Sequence, residues 1–241
     1  MDLVFIREVT GMIDYRAIYQ RQGELYDQLV TREDYRGNLL EALLKIHPFS
    51  GAFALDLGAG TGRLTRILGG YVEHMIAIDI SGHMLEVAGG HLREAGVKNC
   101  SLTVADNRRL PVIDNSADIS LAGWSIGHCI SWYADSWRQQ VIRIIQEMER
   151  VVRKRGTIVV IETLGTGRST PAPPTSGLAR FYGLLENEWG FQMTWVRTDY
   201  SFRSLSEAIK LSRFFFGDEL AERVAREELT ILPECTGIWW K

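Results

Sequence analysis

Short apolar runs alternate with segments of helical spacing along most of this chain. Leu39, Leu40, Leu43, Leu44 and Ile46 recur at helical intervals until the Pro48 to Gly51 stretch ends them. Ala52 to Leu57 and Met75 to Ile80 are short apolar runs, each followed by a turn-forming or polar segment, as expected of parallel strands buried on both faces. Arg63 to Leu68 reads as the helix between them. The alternation continues with a helix over Met84 to Ala95 and strands over Ser101 to Ala105 and Ile119 to Gly123. Ser136 with Gln139 predicts a capping box, opening a helix whose Val141, Ile144, Ile145, Met148, Val151 and Val152 share one broad face. Arg153, Lys154 and Arg155 suit its negative end, Gly156 the left-handed stop, and Thr157 to Ile161 a fifth strand.

Beyond that point the regularity loosens. Gly165 to Gly177 contains three prolines and predicts a loop or lid. Phe181 to Trp189 reads as helix, Thr194 to Arg197 as strand, Ser204 with Glu207 as a second capping box, and Gly237 to Trp240 as a last strand. No tandem repeat is present.

Composition narrows the picture. At 241 residues, 46% hydrophobic and 24% charged, the chain can bury one substantial core and is short for two full-sized domains. A single domain over 1–241 is expected, with an N-terminal helical cap over about 1–47 and a lid or acceptor-side insertion over about 165–192. A formal charge of −3 supplies no global basic field, which disfavours nucleic acid and anionic membrane and favours a small partner. Cys100, Cys129 and Cys235 form neither a CxxC pair nor a disulfide framework, which fits a reducing cytoplasm. The N-terminal MDLVFIREVTGMIDYR is interrupted by charges before any long apolar run, so secretion and membrane insertion are not expected. No clustered metal-ligand motif is evident, and no metal is expected.

The chemistry concentrates in ALDLGAGTGRLT, Ala54 to Thr65, where a buried strand runs through Gly58, Gly60 and Gly62 into a helix. Glycines there let backbone approach a ligand without a Cβ. One strand-helix-strand unit later Asp79 ends the second strand, where a carboxylate can accept from both hydroxyls of a ribose. A nicotinamide dinucleotide would satisfy the same logic, but its fingerprint wants a glycine where Arg63 stands.

ALDLGAGTGRLT, AIDISGHMLEVA and VADNRRLPVIDNSADI resemble the successive cofactor motifs of class I S-adenosylmethionine-dependent methyltransferases, over most of Phe53 to Thr163. The resemblance implies an α/β fold, a Rossmann-like doubly wound seven-stranded mostly parallel sheet with one antiparallel edge strand and helices on both faces. It implies S-adenosyl-L-methionine as cofactor and S-adenosyl-L-homocysteine as product. Asp56 would orient the turn and the methionine end, Gly58, Ala59 and Gly60 line the cofactor, and Asp79 hold the ribose. Ile80 and Met84 would flank the adenine, Asp106 and Asn107 recognise its edge, and Trp124 face the methionine moiety. The expected reaction is methyl transfer to a small-molecule acceptor by a monomer or homodimer. The other readings are an enzyme that consumes the cofactor without methylating, and a non-catalytic binding subunit.

Where the acceptor carries a proton, a base is needed within hydrogen-bond reach. His128, following the fourth strand, and Glu162, after the fifth, are the candidates, with loop filling and loop support as the plain alternatives. Trp124, Trp132, Tyr133, Phe181, Tyr182 and Trp189 are expected to form either an acceptor pocket or ordinary core. Tyr15, Tyr19 and Tyr26 lie in a region that, in the resembling small-molecule enzymes, folds over the cofactor.

Overall fold

A computed structural model describes residues 14–241. The opening residues 1–13, on which part of the expected N-terminal cap and most of the MDLVFIREVTGMIDYR reading fall, lie outside the described residues.

Three short helices lead in: α1 (Tyr15–Arg21), α2 (Gly23–Val30) and α3 (Asn38–Ile46). The alternating region follows as β1 (Phe53–Leu57), α4 (Arg63–Leu68), β2 (His74–Asp79), α5 (Gly82–Glu94), β3 (Cys100–Val104), β4 (Ala117–Gly123), α6 (His128–Trp132), α7 (Trp137–Val151) and β5 (Val152–Thr166). The chain ends with α8 (Ser176–Asn187), β6 (Gln192–Arg197), β7 (Tyr200–Ser201), α9 (Leu205–Phe216), α10 (Asp218–Arg226), β8 (Ile231–Leu232) and β9 (Glu234–Trp240).

Seven strands form one sheet in the order β3-β2-β1-β4-β5-β9-β6. Neighbours from β3 to β5 pair in parallel, and β9 runs antiparallel to both β5 and β6. The expected fold is therefore the observed one, and the reversed strand sits one place inside the edge, which β6 occupies. The order reverses between β1 and β4, and such a switch point opens a crevice at the carboxyl ends of the strands.

Each face of the sheet buries its own cluster. Leu39 and Leu43 of α3 and Leu64 and Leu68 of α4 cover one side, against Ala54, Met75, Ile119 and Val159. Val141, Ile144, Ile145, Met148 and Val151 of α7 cover the other with Phe181 and Leu185 of α8, against Leu55, Leu57 and Val160. Central strands carry near-continuous apolar runs because helices cover both sides. Truncating fully buried Met148 to Ala should cost about 2–5 kcal/mol.

Two local readings need correction. Ser136 makes no side-chain cap to α7; its hydroxyl instead accepts from Gln140 Nε2 at 3.3 Å. The helix stops at Val151, Arg153 to Arg155 already belong to β5, and the left-handed residue is Arg155 at φ +72° rather than Gly156. Gly156 is there because a Cβ would lie 2.4 Å from Val152 Cγ1 and 2.6 Å from the Asp118 carbonyl oxygen. By contrast Ser204 does cap α9, accepting from the Glu207 N–H at 3.1 Å.

Between β6 and β9, α9, α10 and the β7–β8 pair make a third cluster with α2, in which Leu29, Tyr200, Leu211, Val224 and Leu232 are buried. This layer stands over the carboxyl ends of β4 and β5 and shapes the site.

Candidate functional site

The end of β1 fixes the first half of the site. Asp56 is buried, and its Oδ2 accepts from the Thr65 hydroxyl at 2.7 Å, with burial pushing its carboxyl up to about 6. The Gly58 and Ala59 N–H groups both donate to the Ile78 carbonyl, at 2.7 and 2.9 Å, so the turn is sewn to β2. Gly58, Gly60 and Gly62 all take positive φ, but for different neighbours. A Cβ on Gly58 would lie 2.4 Å from Ser125 Cβ, at the exit of β4, and one on Gly62 would press on Ala88 of α5 at 3.2 Å. Gly60 is the one whose missing side chain leaves room, the nearest atom being the Met84 methyl at 3.5 Å.

Asp79 is held from two sides. Its Oδ2 accepts from Gly60 N–H at 2.9 Å and its Oδ1 from Ser81 N–H at 2.8 Å. Ser81 then caps α5 by accepting from Met84 N–H. Two backbone donors thus orient the carboxylate and leave its remaining lone pairs for a ligand, an arrangement suited to a vicinal diol.

All ten residues expected around the cofactor, Asp56, Gly58, Ala59, Gly60, Asp79, Ile80, Met84, Asp106, Asn107 and Trp124, line one cavity of about 580 Å³. Asn107 Oδ1 and Thr61 Oγ1 are buried there without a hydrogen-bond partner among the described residues. A nucleoside with amino and hydroxyl groups offers the donors that such orphaned atoms lack. Asp106 is paired with Arg108, whose Nε donates to it at 2.9 Å, and the hydrogen bonds from that guanidinium hold the Asp106 carboxyl below its ordinary value. Trp124, at the exit of β4, adopts φ +49°, a conformation that costs a non-glycine residue, and the guanidinium of Arg63 lies 4.0 Å from its ring centroid.

A family model described as a methyltransferase domain matches residues 55–160, the span that carries these motifs. Residues 55–160 thus match a methyltransferase domain, as the resemblance to the class I S-adenosylmethionine-dependent methyltransferases implied. Malonyl-[acyl-carrier protein] O-methyltransferase of Marinomonas sp. (strain MWYL1) is 33% identical over 152 residues, covering 62% of this chain and 51% of that protein. Demethylmenaquinone methyltransferase of Alkalihalophilus pseudofirmus is 24% identical over 152 residues, covering 62% and 60%. The chain thus spans between half and three fifths of the length of these curated relatives. The fold is also that of a methyltransferase from Aquifex aeolicus, with a TM-score of 0.55 at 16% identity over 94% of this chain and 93% of that one. S-Adenosylmethionine is the cofactor of the methyltransferase domain, and the dinucleotide reading falls away.

A second cavity, about 870 Å³, adjoins the first and shares Tyr19, Tyr26, Arg63, Trp124 and His128 with it. His128 stands half-buried at this shared wall. Its Nε2 is 2.9 Å from the Tyr19 hydroxyl, its ring stacks on Trp132 at 4.8 Å, and burial lowers its pKa to about 4. Glu162 faces only the second cavity. Its Oε1 accepts from Gly127 N–H at 2.7 Å, and burial pushes its carboxyl up to about 8. Both candidate bases therefore line the second cavity, His128 from the shared wall and Glu162 bonded to Gly127 next to it.

Four residues of this second cavity escaped the sequence reading as site residues. Arg63 pairs with Glu33 at 2.6 Å, and Glu33 also accepts from the Tyr200 and Thr198 hydroxyls at 2.9 and 3.0 Å. Glu234 accepts from the Thr163 hydroxyl at 2.6 Å, and burial pushes it up to about 8. The available signal was an acidic residue inside an apolar strand: Glu162 in VVIET and Glu234 in ECTGIWW. A buried carboxylate in a strand needs a partner, so its occurrence marks a polar site.

The aromatic candidates divide. Trp124, Trp132 and Tyr133 line the first cavity, whereas Phe181 and Tyr182 are buried in the core and Trp189 packs against it. Of 165–192, Gly165, Thr166, Arg168, Pro174 and Thr175 line the second cavity, while Ser176–Asn187 is α8. Among the described residues no helix is long and apolar enough to cross a membrane, and no group of three or more His, Cys, Asp or Glu is arranged to hold a metal.

Proposed function

We propose that this protein transfers the methyl group of S-adenosylmethionine to a small-molecule acceptor lodged in the second cavity. The observation that carries this reading is the junction: two cavities, one lined by the cofactor motifs, share a wall of Tyr19, Arg63, Trp124 and His128. The cofactor supplies a methyl on a sulfonium; an acceptor lone pair forms the new bond to carbon while the carbon–sulfur pair leaves with sulfur as the neutral thioether of S-adenosylhomocysteine.

The residues of the chain have the remaining tasks. Asp79 and the Gly58–Gly60 turn hold the nucleoside, Asn107 supplies an acceptor for its edge, and Trp124 fixes the cofactor side of the wall. Tyr19 and Tyr26 close the crevice from the N-terminal helices and exclude water. Where the acceptor carries a proton, Glu162 is the stronger base. His128 is held neutral by its surroundings, but a pKa near 4 makes it a weak proton acceptor at neutral pH. The relatives named above differ in acceptor, one acting on malonyl-[acyl-carrier protein] and the other on demethylmenaquinone, and so support methyl transfer without fixing its target. The −3 charge supports a small acceptor over nucleic acid, and three cysteines without a CxxC pair support a cytoplasmic setting.

Incubation with methyl-labelled S-adenosylmethionine and a small-metabolite extract tests the reading. Label recovered on a small molecule with stoichiometric S-adenosylhomocysteine is expected. Altered cofactor without any labelled acceptor would favour a non-methylating use of the cofactor, and no consumption would favour a binding subunit.

A further inference from the structure

The second cavity buries carboxyl groups that no cationic side chain of the described residues pairs. Among its buried lining are three carboxylates, Glu33, Glu162 and Glu234, and one guanidinium, Arg63, which is paired with Glu33. Glu162 is held by backbone N–H donation and Glu234 by the Thr163 hydroxyl; no cationic side chain bonds either. Glu234 is 2% exposed, and its Oε2 has no partner of hydrogen-bond geometry among the described residues, although the Thr166 hydroxyl is close by. At the exposed rim, Arg168, Arg223 and Arg226 stand against Glu219 and Glu222, and Arg223 and Arg226 are already paired with Glu227.

We propose that this cavity takes an amine, a protonated amino group on an apolar body, with Glu234 and Glu162 as its carboxylate partners. The inference rests on the methyl-transfer reading for the role of the cavity. Burial alone keeps both acids largely protonated at neutral pH; an ammonium beside them favours their ionised form, an anionic acceptor opposes it, and a neutral alcohol leaves it without a counter-charge. An ammonium supplies three donors and the missing charge. The apolar body has matching surface in Tyr15, Tyr26 and Phe215, whose rings also attract a cation.

Recognition and chemistry then use the same pair. An ammonium has no lone pair, so one N–H proton must leave before the nitrogen can accept a methyl, and Glu162, which accepts from the Gly127 N–H next to His128, takes it on its carboxylate. Burial raises both acids to about 8, close to the range in which a proton is exchanged efficiently at neutral pH. Glu234, farther along β9, holds the amino group and acts as a specificity residue.

The test compares binding of phenethylamine, 2-phenylethanol and phenylacetate to the full chain saturated with S-adenosylhomocysteine, by calorimetry and ligand-observed NMR. Phenethylamine should bind about tenfold or more tightly than the alcohol, and phenylacetate weakest, since a charge-paired hydrogen bond is involved. Glu234→Gln and Glu162→Gln, of nearly unchanged shape, should each reduce that preference while leaving affinity for S-adenosylhomocysteine and cooperative melting intact. Equal or weaker binding of the amine, or a preference that survives both substitutions, overturns the amine assignment. Failure of the wild-type chain to bind S-adenosylhomocysteine would instead remove the methyl-transfer reading beneath it.

Discussion

The two cavities of this protein are built by opposite means. Around the first, the acidic groups are oriented from within the cofactor motifs: Asp79 by the Gly60 and Ser81 N–H groups, Asp56 by the Thr65 hydroxyl and Asp106 by Arg108. Around the second, Glu33 meets Arg63, Tyr200 and Thr198, and Glu234 meets Thr163, across long stretches of chain. A site made of strand ends and the turns that follow them can be held in place by local geometry. One assembled from α2, α4, β5 and β9 depends on the tertiary fold, and leaves groups whose partners the chain does not supply.

The largest expected effect lies in the first cavity. Asp79→Ala removes the anchor of Gly60 and the acceptor for the ribose together, and should weaken S-adenosylhomocysteine binding about a hundredfold or more, measured calorimetrically. Wild-type-like affinity would mean that the local geometry around β2 is not what holds the nucleoside. Gly58→Ala should follow, because its new Cβ would sit 2.4 Å from Ser125 Cβ in a left-handed backbone. A loss of about 1–3 kcal/mol in unfolding free energy is expected, together with weaker cofactor binding.

The second cavity should announce itself through pH. Glu162 and Glu234 titrate near 8 in the folded chain, against 4.5 as their ordinary value. Raised acids make the folded state bind more protons, so their contribution is full below about 4.5 and is lost as pH climbs through about 8. Asp56, raised to about 6, adds to the fall only in the lower part of that range. His128 acts in the opposite sense: its pKa is depressed to about 4, and stability is lost as pH drops from 6.5 through that value. Melting temperatures should therefore decline between pH 6.5 and 8, and the double substitution Glu162→Gln with Glu234→Gln should flatten that decline. A decline that persists unchanged would show that the acceptor-side acids are not buried as described.

The smallest effect should come from Tyr19→Phe, which removes the hydroxyl facing His128 Nε2 and should cost about 0.5–1.5 kcal/mol in stability. Retention of methyl transfer in His128→Ala, set against its loss in Glu162→Gln, would sharpen the assignment of the base to the second cavity.

What could be read from sequence follows the same division. Gly58, Gly60, Asp79, Asp106 and Asn107 are legible because each lies at a strand end, within a short motif whose hydrophobic flank fixes its place in the sheet. The limits of α4, Arg63 to Leu68, follow from the same flanks. Gly62 proved a packing glycine, since no local pattern announces that Ala88 of α5 will lie against it. The extension of β5 back to Val152 was hidden because Arg153 to Arg155 look like a helix terminus, whereas they continue the strand at its exposed end. Glu33, Tyr200 and Glu234 carry no periodicity that identifies them as neighbours, and only the fold of residues 198–233 over α2 brings them together.

Titration of S-adenosylhomocysteine into the wild-type chain and into Asp79→Ala, with NADH as the control ligand, tests the central claim most directly. Saturable one-to-one binding by wild type, abolished or greatly weakened by the substitution and absent for NADH, is the predicted result. A well-folded wild-type chain that ignores S-adenosylhomocysteine, or binds NADH in its place, would contradict the assignment of the first cavity and everything built on its junction with the second.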